Sequence, residues 1–129
     1  SRELFKGVLA GKSRGIFNGR VIVRKDAQQT DAQQKNENLL LGLGAEVDSQ
    51  PQLEIEADDV KCSHGSTIGQ LDEDAVFYLR SRAIGEADAE AMLTRGFAAQ
   101  ITERIANAAL RERVEALVLA RLFARELPG

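Results

Sequence analysis

Cysteine and histidine each occur once in the 129 residues. A single cysteine excludes an internal disulfide and suits a reducing compartment, so a cytoplasmic location is expected. Charge of one sign is also scarce in excess: 17 basic residues against 20 acidic ones leave a net charge of −3. That balance offers no positive field to hold nucleic-acid phosphates. No apolar run approaches the ~20 residues a membrane-spanning helix needs, and the opening residues lack a signal-peptide pattern. What remains is ordinary for a soluble domain, with 43% hydrophobic and 29% charged residues. The length fits one domain or two small ones. The chain opens Ser-Arg-Glu-Leu without Met, so a piece of a longer protein is expected.

Composition divides the chain into 1–71 and 72–129. All five lysines (Lys6, Lys12, Lys25, Lys35, Lys61) lie in the first part, and the second uses only arginine. The first part reads as β. Leu53, Ile55 and Ala57 alternate with Glu54 and Glu56, the period of a half-buried strand. Val21-Ile22-Val23 and Leu39-Leu40-Leu41 read as strands buried on both faces. Phe5-Lys6-Gly7 returns as Phe17-Asn18-Gly19, and Asp26-Ala27-Gln28-Gln29 as Asp31-Ala32-Gln33-Gln34. Such echoes point to stacked coils of a β-solenoid; Asn18-Gly19 alone points instead to a tight hairpin.

The second part reads as a small helical domain. Asp72-Glu73-Asp74 puts acid at a helix start, and Arg80 and Arg82 put base at its end, as the helix dipole favours. Gly85 is the expected stop. A second helix begins near Glu86, with a stripe of Leu93, Phe97, Ile101 and Ile105. Gly96 inside it predicts close packing or a kink, because glycine there costs about 1 kcal/mol against alanine. A third helix carries Leu110, Val114, Leu117, Val118 and Leu122 on one stripe and ends at Pro128-Gly129.

Three motifs carry possible chemistry. Gly7-Val8-Leu9-Ala10-Gly11-Lys12-Ser13 is one residue short of a phosphate loop, and turn and strand residues follow it where a helix is required. Asp58-Asp59 and Asp72-Glu73-Asp74 are paired acids; the first reads as a turn in which Asp caps its own backbone, the second as a helix start. The sharpest motif is V-K-C-S-H-G-S-T-I-G at 60–69. Val60, Cys62, His64 and Ser66 share a strand face. Thiolate and imidazole suit iron, zinc or copper(I), but two ligands fall short of the usual four. Either another chain supplies the rest, or Cys62 is a small buried hydrophobe and His64 a hydrogen-bonded core or edge residue. A Cys–His catalytic dyad lacks a third group to orient the imidazole, and no enzymatic role is expected.

Several stretches are together specific: Thr30-Asp31-Ala32-Gln33-Gln34, Asn38-Leu39-Leu40-Leu41, Pro51-Gln52-Leu53-Glu54-Ile55, the run from Ala57-Asp58-Asp59 through Cys62-Ser63-His64 to Thr67, and Phe77-Tyr78-Leu79-Arg80-Ser81-Arg82. Over about 5–97 they resemble the SufB/SufD family, the scaffold subunits of the Suf iron–sulfur cluster assembly system. Cys62 with His64 is more similar to SufD-type members. The resemblance implies a C-terminal part: the end of a right-handed parallel β-helix followed by a small α-helical domain. It implies pairing with a SufB-like subunit through the last strands and binding of a SufC-type ATPase through the helical domain. Tyr78, Arg80 and Arg82 are the candidates there, being of residue types favoured at hot spots. It also implies that His64, and with less weight Cys62, holds iron or a nascent cluster transiently in the assembled complex. No cofactor is expected in the isolated chain, and the residues say nothing about flavin. A β-helix cut at its upstream end invites homodimerisation. The competing readings are a structural oligomerisation module and a small metal-binding protein using Cys62 and His64. One departure stands out. The family's usual Arg-Gly-Ile is Arg82-Ala83-Ile84 here, so a positive φ at that point would strain an alanine by about 1 kcal/mol.

Overall fold

The computed structural model describes residues 1–124; the expected helix end at Pro128-Gly129 lies outside them. The chain divides into two compact units, 1–70 and from Leu71 onward. Among the described residues no helix is long and apolar enough to cross a membrane.

The first unit holds five strands: β1 (Arg2–Ala10), β2 (Arg14–Val23), β3 (Asp31–Leu41), β4 (Glu46–Ile55) and β5 (Lys61–Gly69). They alternate between two sheets, ordered β1-β3-β5 and β2-β4. All pairings are parallel and unbroken in register: Arg2 lies opposite Gln33, Arg14 opposite Glu46 and Asp31 opposite Lys61. The chain therefore repeats every 30–32 residues. Parallel strands cannot be joined by a tight turn, and here each return to a sheet passes through a strand of the other. The shorter echoes have a different meaning. The twelve-residue echo is the step from β1 to β2, which brings the Phe5 and Phe17 rings to 5.0 Å. Asp26-Ala27-Gln28-Gln29 falls in the turn before β3, so it does not stack on its echo. Asn18-Gly19 lies inside β2, and the hairpin reading falls.

Burial follows the period of two on β3. Ala32, Gln34, Asn36 and Asn38 are buried and define an inner face, while Lys35 is exposed. This interior is unusually polar, and its amides need partners, since an unpaired buried amide is costly. Asn38 Nδ2 donates to Asn36 Oδ1 at 2.6 Å, and Gln34 Nε2 donates to Glu3 Oε2 at 3.2 Å. Gln34 Oε1 is left without a partner. A Cβ on Gly19 would come within 2.8 Å of that oxygen and 2.7 Å of Phe17 Cζ, so a side chain at 19 would force Gln34 or Phe17 to shift. Leu39 is buried and Leu40 and Leu41 are half-buried, so that run is covered on both faces. Val21-Ile22-Val23 is not: Val23 is buried and Ile22 is 50% exposed. Ile55 likewise is 44% exposed. β2 and β4 form a sheet of only two strands, which leaves their outward side chains uncovered. On the surface Arg20 is paired with Glu54. Hydrogen bonding to that carboxylate, then its charge, raises the guanidinium further above its ordinary pKa, but so exposed a pair adds little stability.

The turns confirm why no phosphate loop forms. Gly11 takes φ +64°, and Ser13 Oγ accepts from Ala10 N at 3.1 Å and donates to Ala10 O at 2.8 Å. The chain then enters β2, with no helix N-terminus to receive an anion. The Asp58-Asp59 turn is held through the main-chain groups of Asp59 and not through its carboxylates. Gln29 N donates to Asp59 O at 2.6 Å, and Asp59 N donates to Gln28 Oε1 at 3.0 Å.

The second unit is helical: α1 (Glu73–Ser81), α2 (Glu86–Thr102) and α3 (Ala108–Phe123). Asp72 caps α1 by accepting from Asp74 N at 2.9 Å, and Asn107 caps α3 by accepting from Leu110 N at 3.0 Å. The stop of α1 differs from the expectation at Gly85, which instead sits at the N-cap of α2 with φ −61°. Ala83 ends α1 with φ +64°. Its N–H donates to Arg80 O at 3.1 Å and that of Ile84 to Leu79 O at 3.2 Å, the paired bonds that close a helix on a left-handed residue. The departure from glycine thus falls where a Cβ is strained. Ala83→Gly is expected to raise stability by about 1 kcal/mol, measured as a higher denaturant midpoint at unchanged slope; an unchanged midpoint would mean the corner relaxes around alanine.

In α2, Ala89, Thr94 and Thr102 are buried. Gly96 shows no close packing, for a Cβ there would meet nothing within 4 Å, and the helix runs through it unbroken. The α3 stripe is only partly used. Val114, Val118 and Leu122 are half-buried, whereas Leu110 and Leu117 are 53% and 65% exposed. Three helices alone cannot surround a wide apolar stripe.

Candidate interaction sites on the last strand and the first helix

β5 borders only β3 and is an edge strand. Cys62 lies opposite Ala32, His64 opposite Gln34, Ser66 opposite Asn36 and Ile68 opposite Asn38. Residues paired in a parallel ladder point to the same side, so these four continue the inner face of β3. On β3 that face is buried. On β5 it is open: Cys62 is half-buried, and His64, Ser66 and Ile68 are exposed. Among the described residues sheet β2-β4 ends at β4, with no further strand to cover them.

Cys62 and His64 are therefore brought to one face, as the spacing predicts. Among the described residues no group of three or more His, Cys, Asp or Glu side chains could hold a metal ion. Among the described residues the pair therefore stands at two donors. The neighbouring hydroxyl is better connected. Ser66 Oγ donates to Ser49 Oγ at 2.7 Å, and Ser49 Oγ donates to Asn36 Oδ1 at 2.8 Å. Sequence reasoning placed Ser66 on the right face but had no means of finding Ser49, a residue of the other sheet.

The candidates on α1 lie at its surface. Tyr78 is 54% exposed. The Arg82 guanidinium carbon sits 4.9 Å from the centroid of the Tyr78 ring, a stacking geometry that stiffens both side chains. Arg80 reaches Glu86 at 3.8 Å. Phe77, not singled out from the sequence, is 74% exposed. The signal for it was present: two adjacent aromatics on a nine-residue helix cannot both face one core.

A family model described as "SUF system FeS cluster assembly, SufBD core domain" matches residues 1–97. The chain belongs to the SufBD family. It is 50% identical to the iron–sulfur cluster assembly protein SufD of Escherichia coli over 129 residues, which is all of this chain and 29% of that protein. A SufBD family protein of Synechocystis is 43% identical over 121 residues, covering 94% of this chain and 27% of its own. The chloroplastic protein ABCI7 of Arabidopsis thaliana is 42% identical over 113 residues, 87% of this chain and 24% of its own. The chain thus spans less than a third of the length of these relatives. Within the SufBD family its likeness is to SufD-type members, and the motif stretches from Thr30 to Thr67 lie inside the matched region.

Proposed function

We propose that this chain is part of a non-catalytic scaffold subunit in iron–sulfur cluster assembly. The observation that carries the reading is the β5 edge, whose inner face leaves His64 exposed and Cys62 half-buried in a strand with one free side. An exposed edge invites a second chain. A SufB-like subunit pairing there would close the face and complete the ligand set that two residues leave short. Iron or a nascent cluster is then the cargo, held between subunits with His64 as the stronger donor on this side and Cys62 as the weaker. The alternating parallel sheets and the 30–32-residue repeat support the reading of 1–71 as the end of a right-handed parallel β-helix. The helical unit is the docking point for a SufC-type ATPase, through Phe77, Tyr78, Arg80 and Arg82.

Two calorimetric titrations test this. The chain is expected to bind a SufC-type ATPase subunit one to one, and separately a SufB-like subunit. A folded sample that binds neither and forms a homo-oligomer would replace this reading with a structural oligomerisation module.

A further inference from the structure

The weak point of such an edge is its register. β5 contributes none of the buried apolar side chains described for the chain. Its sequence, Lys-Cys-Ser-His-Gly-Ser-Thr-Ile-Gly, includes two glycines whose Cβ positions are open. Polar, glycine-bearing strands specify register poorly. A slip of one residue would turn His64 to the outer face; a slip of two would keep the face but carry His64 along by about 6–7 Å. Ladder hydrogen bonds do not prevent a slip of two, because they can re-form in the new register.

Ser66 does oppose it. Asn36 Oδ1 can only accept, and it receives Asn38 Nδ2 at 2.6 Å, Ser49 Oγ at 2.8 Å and, more distantly, Ser66 Oγ at 3.5 Å. Ser49 Oγ in turn accepts from Ser66 Oγ at 2.7 Å. The hydroxyls of β5 and β4 thus converge on the buried amides of β3. After a slip of two, His64 or Ile68 would stand opposite Asn36, and neither supplies a hydroxyl to Ser49. We infer that Ser66 and Ser49 form a register pin, positioning residues that hold His64 and Cys62 at a fixed place on the edge. This rests on the reading of that edge as the partner-binding, cargo-holding face, but the pin can be tested without it.

The test is amide hydrogen exchange on the intact chain, with the ring signals of the single histidine followed by NMR. Ser66→Ala is expected to lower protection of the β5 amides by about tenfold, the loss of one hydrogen bond. Protection in β2 and β3 stays unchanged, and the His64 signals broaden or double as registers mix. Ser66→Thr restores the wild-type pattern, since it keeps the hydroxyl. Should Ser66→Ala fail to fold, Ser66→Thr against the isosteric Ser66→Val decides the same point. Unchanged β5 protection, or an equal loss in every strand, overturns the pin. With a SufB-like subunit, Ser66→Ala should bind several-fold more weakly than wild type and Ser66→Thr should match it. Failure of the wild-type chain to bind that subunit overturns the partner reading, while the exchange data still judge the pin.

Discussion

His64→Ala in the assembled complex is expected to lower cluster yield by at least about tenfold while leaving ATPase binding unchanged. The magnitude follows from metal sites generally: losing even a group that merely orients a ligand costs roughly 10–100-fold in affinity or activity, and a direct ligand should cost no less. The fold should not suffer. His64 is exposed on an edge strand, and substitutions at such positions usually stay within about 0.5 kcal/mol. Cys62→Ser is the companion variant, expected to have a smaller effect because Cys62 is half-buried and the weaker candidate. The measurement is iron and sulfide bound per complex after reconstitution, with circular dichroism as the check on folding. Cluster yield equal to wild type in His64→Ala would remove this residue from the site.

Combined Phe77→Ala and Tyr78→Ala is expected to weaken ATPase binding by about 30-fold or more. Aromatic hot spots are worth about 2 kcal/mol or more on truncation, and each 1.4 kcal/mol is tenfold in affinity. Exposed aromatics on a helix invite this role, since 74% and 54% exposure leaves them doing little for the unit's own packing. Alanine is the better helix former, so α1 should persist. Arg82→Lys is a milder probe. It keeps the charge and loses the planar group that lies over Tyr78, and a drop of a few-fold is expected. Titration calorimetry with the ATPase subunit reads both. Wild-type affinity in the double variant would move the contact off α1. Because His64 and Phe77 lie in different units of the chain, each variant serves as the control for the other.

Much of this was open to reading from residues alone, wherever the cause is local. Asp72 caps a helix because a carboxylate oxygen can reach an N–H two residues on. Cys62 and His64 share a face because strand geometry alternates with period two. The stretches from Thr30 to Arg82 are specific enough to indicate the family, and the Arg82-Ala83-Ile84 departure marks the corner where a positive φ, +64° at Ala83, strains an alanine. Tertiary structure decided what depends on distant neighbours. Short echoes at twelve and five residues could not reveal a repeat of 30–32, because strand pairing joins residues that share no local pattern. Asn18-Gly19 carries a strong hairpin signal, yet it lies in a strand held by β4 across 32 positions. Ile22, Leu110 and Leu117 are apolar and exposed, because burial is set by what else packs nearby and not by the residue itself. The contact between Ser49 and Ser66 belongs to the same class: two ordinary serines, 17 residues apart and in different sheets, become a unit only when the tertiary fold brings β4 and β5 together.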